Sequence, residues 1–264
     1  MADCREHIVF DVGTKPTYFI TGTDTGVGKT VLTALLAAFF RHRGIRVAAL
    51  KPVCSGGRDD ARILQTALDG ALTLDDINPW HFRPFLAPIL AARQEKKRVT
   101  LAAVLAHSRD IRKRFDVLLT EGAGGLLSPL GVGFNSRDVI AATGATPVIV
   151  APNKLGVINH LLLTLEALPP NLRPAAILVL MTPPTPDCAT ASNAGLLKKL
   201  TVQKINVLPW LGGNFSLVAA LKQPVVRRTL AAIADCSASS FRMSSGVSAA
   251  RGLPSRGFVA KNLA

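Results

Sequence analysis

The chain has 264 residues, 48% of them apolar, which excludes wholesale disorder and allows one large domain with a substantial core. It has no apolar run of the ~18 residues that cross a bilayer, no signal-peptide apolar stretch near Asp3, Arg5, Glu6 and Asp11, and no metal-site spacing among Cys4, Cys54, Cys188 and Cys236, so a cytoplasmic protein without disulfides or zinc is expected. The formal charge of +14 gathers at residues 93–114 and after Cys236 without a base-reading motif or interleaved aromatics, which argues against a nucleic-acid partner.

Residues 1–17 read as an N-terminal extension. Residues 18–21 are a short β-prone run ending at Gly22, and a glycine-rich turn follows. Residues 30–43 place Val31, Leu32, Leu35, Leu36 and Phe39 at helical spacing, and Gly44 stops that helix. Residues 45–50 form the next strand. Strand, turn, helix and strand make a βαβ unit, and the pattern continues. Helices are expected at 101–114 and 156–168, with strands at 116–120, 147–151, 175–180 and 205–208. The strand at 147–151 is nearly all apolar, as a strand buried on both faces should be. The fold class is therefore α/β, a three-layer sandwich with a mostly parallel sheet covered on both faces by helices, and the glycine turn running into Gly28, Lys29 and Thr30 at the first helix makes it P-loop NTPase-like. That domain spans 18–236. Residues 237–264 are Ser-rich and basic, and are expected to be a flexible tail.

Residues 22–30 read GTDTGVGKT, between a strand and a helix. Backbone N–H groups in such a turn surround phosphate oxygens, Lys29 adds a point charge, and Thr30 offers a hydroxyl to Mg²⁺. The loop is one residue longer than G-x-x-x-x-G-K-[ST], so its setting, more than its spacing, carries the reading. Lys51, with Ser55 close behind, follows the second strand, where it could hold an anion or simply be solvated on a turn. Asp59 and Asp60 offer hard oxygens to Mg²⁺ or a cap to a helix. Glu121 ends the strand at 116–120 before Gly122, Ala123, Gly124 and Gly125, the position of a metal-holding acid in P-loop enzymes; a plain glycine turn is the alternative. His160, taken alone, reads as an ordinary helix residue.

In order along the chain, TGTDTGVGKT, KPVCSGG, TEGAGG, NKLGVINH and LPWL resemble dethiobiotin synthetase over residues 18–211. The longer phosphate loop is that family's form. The resemblance implies ATP- and Mg²⁺-dependent joining of 7,8-diaminononanoate and CO₂ into a cyclic urea, through a carbamate and its mixed anhydride with phosphate. It makes Lys51, Lys29 and Thr25 catalytic. It places Gly26, Val27, Gly28, Lys29, Thr30, Val31, Asp60, Glu121, Gly122, Ala123, Gly124, Pro209, Trp210 and Leu211 around the nucleotide. Thr30, Asp60 and Glu121 would hold Mg²⁺. Thr25, Lys51 and Ser55 would bind the diamine and carbamate. The family is a homodimer, so Leu155, Gly156 and Asn159 would reach the substrate's carboxylate end from the neighbouring copy.

The chain departs from the family in two places. Met181 stands where an adenine-reading asparagine is expected, which implies looser nucleotide choice. The segment between Ser55 and Asp60 is short, which implies a trimmed substrate lid. Two other P-loop readings compete: a partitioning-type ATPase, which would carry lysine where this chain has Asp24, and an amide-forming ligase of corrinoid synthesis. A nucleotide-binding module without catalysis would leave Lys51, Asp60 and Glu121 without a purpose.

Overall fold

A computed structural model describes residues 15–213 and 215–240, the last five by backbone alone. The extension at 1–17 is thus described only from Lys15, and the tail expected at 237–264 only as far as Ser240, where the backbone is still helical.

β1 (Thr17–Gly22) leads through the glycine turn into α1 (Lys29–His42), and β2 (Val47–Leu50) follows. Next come β3 (Val53–Ser55), α2 (Asp59–Ala67), α3 (Leu74–Ile77) and β4 (Trp80–Phe82). After α4 (Pro88–Gln94) and α5 (Leu101–Arg112), β5 (Val117–Glu121) returns to the sheet. β6 (Pro129–Gly131) and β7 (Phe134–Asn135) form a small antiparallel pair before α6 (Ser136–Thr143). The remainder runs β8 (Thr146–Pro152), α7 (Val157–Ala167), β9 (Ile177–Met181), α8 (Cys188–Leu200), β10 (Lys204–Leu208), α9 (Leu217–Lys222) and α10 (Pro224–Ser240).

The main sheet has six strands in the order β10-β9-β8-β1-β5-β2, all paired in parallel. Successive side chains point to opposite faces of a strand, and this sheet divides them between two cores. Tyr18, Ile20, Val148, Val150, Ile177 and Val179 pack with α1 and α10. Phe19, Ile149, Ala151, Leu178 and Leu180 pack with Val157, Leu161 and Leu165 of α7 and with Leu197 of α8. Covered on both sides, the strands need no polar alternation, which is why they read as unbroken apolar runs.

The sheet gathers the C-terminal ends of β1, β2, β5, β8, β9 and β10 along one edge, where ligands of such sheets bind. Most predicted candidates leave one of these ends or the turn or helix that follows it, whereas Ser55 ends β3 and Asp60 opens α2 behind it. The parallel pair β3–β4 had no sequence reading. Three residues are too few to show a period, and its stability comes from packing in the second core through Val53 and Phe82.

Candidate active site

The phosphate loop is shaped by two left-handed glycines, Gly26 at φ 72° and Gly28 at φ 98°. Gly28 caps α1 without any side-chain bond, so the helix presents uncapped N–H groups at its start. The turn is tethered to the sheet where the Thr23 N–H donates to the Val150 carbonyl at 3.0 Å. Val27 lies in the core, and Val31 packs against that core. Only the backbone of Val27 can meet a phosphate, whereas Lys29 reaches across the turn. Its Nζ donates to the Asp24 carbonyl at 2.7 Å and is buried. Burial pushes the Lys29 pKa down to about 8, with Lys51 adding to the fall and Glu121 opposing it.

Lys51 sits one residue past β2, and its backbone is fixed on both sides. Its N–H donates to the Ile77 carbonyl at 2.9 Å, and its own carbonyl accepts from Asn78 Nδ2 at 2.7 Å. Asn78 is fully buried and is also 3.1 Å from Cys54 Sγ. Sequence reading missed it because Asn78 is distant from the motif and its place depends on how α3 packs under β2.

The Lys51 ammonium is bonded to Asp60 and, at 2.9 Å, to Glu121 Oε1. Burial lowers its pKa, but the charges of Glu121 and Asp60 outweigh burial and hold it above the ordinary lysine value. Thr30 Oγ1 donates to the same Glu121 oxygen at 2.7 Å. Glu121 Oε2 is buried with no partner in the described structure. Thr30, Asp60 and Glu121, predicted from three separate segments, therefore meet around one lysine. A hydroxyl, one half-exposed carboxylate and one buried carboxylate oxygen without a partner fit Mg²⁺, which keeps waters and takes one or two carboxylates.

Of the two adjacent aspartates, Asp60 faces this site, whereas Asp59 pairs with Arg62 at 2.7 Å on the solvent side. Neither is the helix cap: both lie in the first turn of α2 behind Arg58. Ser55 Oγ donates to the Leu86 carbonyl at 2.6 Å. Its only proton is thereby turned outward, and its lone pairs stay available to a substrate N–H. The short segment after it is covered by the ring of Phe85, which lies so close to Gly56 that a side chain there would strike it at 2.5 Å.

The turn after β5 lies against the phosphate loop. Gly124, at φ 69°, brings the chain to the Thr25 side chain, and a side chain at Gly125 would meet the Thr23 carbonyl at 3.4 Å. Gly122 leaves no room for more than hydrogen, with Ser136 Oγ 2.6 Å from where a Cβ would stand. Ala123 packs toward the second core, so it can meet a nucleotide by its backbone only.

At the other end of the loop, Met181 ends β9 and packs onto Gly28. A Cβ on Gly28 would be 2.9 Å from the Met181 methyl. Leu208 pairs with Met181, which brings Pro209, Trp210 and Leu211 to the same edge; Trp210 is half exposed.

Leu155, Gly156 and Asn159 are all exposed, at the start of α7. Within one chain the structure does not bring them to Lys51. β1 and β5 stand between β8 and β2, about 14 Å of sheet at the usual strand spacing. A cleft of about 440 Å³ is lined by Thr23, Asp24, Gly125, Leu127, Leu163 and Thr164, and neither Leu155, Gly156 and Asn159 nor the Lys51 cluster lines it. Among the described residues no three His, Cys, Asp or Glu side chains form a metal cluster, and no helix is long and apolar enough to cross a membrane.

A parallel α/β sheet, a phosphate loop at the start of α1 and a lysine–carboxylate cluster beside it define a P-loop enzyme that uses ATP. A family model described as an AAA domain matches residues 16–213. The ATP-dependent dethiobiotin synthetase BioD of Anaeromyxobacter dehalogenans is 39% identical over 198 residues, covering 73% of this chain and 89% of that protein. The Bacillus subtilis protein of the same name is 36% identical, covering 79% and 91%. The chain belongs to the ATP-dependent dethiobiotin synthetase family and is an ATP-dependent ligase of biotin biosynthesis.

Two solved structures share the fold at 15% identity. A ParA family ATPase from Chlorobium tepidum has a TM-score of 0.52 and covers 84% of this chain and 98% of its own. The MinC:MinD cell division complex of Aquifex aeolicus has a TM-score of 0.51, covering 89% and 99%.

Proposed function

We propose that this chain joins 7,8-diaminononanoate and CO₂ into the cyclic urea dethiobiotin, converting ATP to ADP and phosphate. The observation that carries the reading is the Lys51 ammonium, buried, charged and held by Asp60 and Glu121 beside a phosphate loop with its own lysine. A second cation fixed beside the phosphate loop suits a second anion that must lie in line with the transferring phosphoryl group.

One amine of the diamine takes up CO₂ and loses a proton, giving an anionic carbamate. Lys51 holds the carbamate oxygens, and Ser55 accepts an N–H from the nitrogen, its own proton being committed to Leu86. The carbamate oxygen attacks the γ-phosphorus as the bond to ADP breaks, with Lys29 and the α1 N–H groups countering the charge. The second amine then attacks the carbamate carbon, phosphate leaves, and the ring closes. Positioning supplies most of the rate, since both nucleophiles are already on one molecule. Thr30, Asp60 and Glu121 would hold Mg²⁺, which would neutralise phosphate oxygens.

The diamine's carboxylate lies at the far end of an aliphatic chain. Leu155, Gly156 and Asn159 suit that end, and their separation from Lys51 across the sheet supports a reading in which they come from a second copy. Leu155 is 83% exposed, and Leu163, Leu127 and Val132 are about half exposed on neighbouring segments, an apolar surface that a homodimer would cover. The asparagine-free end of β9 and the fold shared with ParA and MinD do not favour the partitioning reading, since Asp24 stands where such an ATPase carries lysine.

Incubation with diaminononanoate, carbon-13 bicarbonate, Mg²⁺ and ATP should give a cyclic product shifted in mass by the label. ATP consumption without a labelled ring product would refute the proposal.

A further inference from the structure

The loop bearing Leu155 and Gly156 is held from behind by a buried amide cluster that the chemistry above does not use. Asn153 and Asn193 are 2% and 5% exposed. Asn193 Nδ2 donates to Asn153 Oδ1 at 2.9 Å and to the Lys154 carbonyl at 3.1 Å. Asn153 Nδ2 donates to the Thr190 carbonyl at 3.0 Å, and Thr190 Oγ1 is 3.2 Å from the Asn153 carbonyl. The Asn153 N–H donates to the Met181 carbonyl at 2.8 Å.

A buried amide without partners costs about 1–3 kcal/mol, so an apolar residue would be the simpler way to fill this space. Two amides that satisfy one another and also clasp backbone carbonyls do something more specific: they fix where those carbonyls point. The Lys154 carbonyl accepts from Asn193 and also from the Val157 N–H at 3.2 Å. That turn, through Gly156 at φ 90°, sets the aim of the uncapped start of α7. The loop's outer face is exposed while its inner face is clamped to α8.

We infer that Asn193 is a positioning residue for substrate. Through Asn153 and the Lys154 carbonyl it holds the Leu155–Asn159 loop in the orientation that receives the diamine's carboxylate in the neighbouring copy. The inference rests on the reading of that loop given above. It assigns specificity to a residue of α8 that itself touches no substrate.

The test uses the full chain with Asn193→Leu, which keeps the volume and removes both donors, and Thr190→Val, which removes one hydroxyl. Each variant is compared with wild type for melting temperature, KM for ATP and KM for diaminononanoate. Nonane-2,3-diamine, the same diamine without the carboxylate, is run in parallel. Asn193→Leu should raise KM for diaminononanoate about tenfold, the equivalent of a lost hydrogen bond or two. It should leave KM for ATP and for the nonane diamine unchanged. Thr190→Val should move the same constant by less.

A folded Asn193→Leu protein with unchanged diaminononanoate KM, or with an equal rise for the nonane diamine, overturns the inference. So does failure of both variants to fold, since the cluster would then serve the core alone. A wild type that does not prefer diaminononanoate over the nonane diamine overturns the loop reading itself, and the inference with it.

Discussion

Lys29 and Lys51 carry the same ammonium into unlike surroundings. Among the described residues Lys29 faces no carboxylate within hydrogen-bond distance and is pushed by burial to about 8, whereas Lys51 is fixed by Asp60 and Glu121 above its ordinary range. Lys29 must be charged to serve phosphate. Its pKa in the free enzyme is low, and bound ATP should raise it, so binding takes up a proton near pH 8 to 9. ATP affinity should therefore fall by up to about tenfold per pH unit above pH 8. Calorimetry in buffers of different ionisation enthalpy should show that uptake, and Lys29→Met should abolish it. No uptake in wild type would contradict the assignment. Met181 gives a second prediction at this scale. A thioether packed on Gly28 can form no paired hydrogen bonds with a base edge, so turnover with ATP, GTP and CTP should differ little. A strong preference for ATP would show that the base is read elsewhere. Lys29, Thr30, Lys51 and Glu121 were singled out in the sequence because each stands at the end of a strand or beside a glycine loop, and Asp60 because it lies a few residues past Ser55 as one of two adjacent carboxylates. Asn78, Asn153 and Asn193 were not, because an asparagine's role depends on which buried carbonyl it meets, and that is decided by tertiary packing.

The site is placed by where elements stop. β1 stops at Gly22, and α1 starts just after its cap Gly28, whose φ of 98° no other residue adopts cheaply. Gly28→Ala should cost about 1–2 kcal/mol in stability from backbone strain alone and weaken ATP binding. Adding Met181→Ala would relieve the side-chain contact and leave the strain, so most of the loss should persist in thermal denaturation and ATP titration. An unaltered Gly28→Ala protein would contradict this account of the loop. The long apolar strands and the helices α1, α5 and α7 were legible from period alone, within a few residues of their ends, whereas the long helices α8 and α10 were not read from the sequence. The short elements β3, β4, β6, β7 and α3 were not, being too brief for a period; α3 is held by a capping box of Thr73 and Asp76. The segment after Ser55, expected to be a trimmed lid, has the ring of Phe85 from the 82–86 segment lying against Gly56.

At the scale of the molecule, the folded unit extends past residue 213, where the family match ends. Val226, Leu230 and Ile233 of α10 are fully buried, and the Tyr18 hydroxyl donates to the Ala234 carbonyl at 2.8 Å. Burying three such side chains contributes about 5–8 kcal/mol, comparable with the whole stability of a domain. A chain ended at Lys222 should therefore lose its cooperative melting transition; retention of that transition would show α10 to be dispensable. The parallel sheet and its two helical layers were legible because strands and helices alternate. The proposed division of one substrate between two copies rests on family resemblance, and the separation of Leu155 from Lys51 across the sheet is compatible with it.

The central claim is that Lys51 holds a carbamate beside the transferring phosphoryl group. Phosphate release from ATP, with and without diaminononanoate, in wild type and Lys51→Gln measures it most directly. Wild type should release phosphate only when the diamine is present. Lys51→Gln should keep ATP binding, melt lower because Glu121 loses its cationic partner and keeps only the Thr30 hydroxyl, and release phosphate about 10²–10³-fold more slowly. Release independent of the diamine, or undiminished in Lys51→Gln, would contradict the claim.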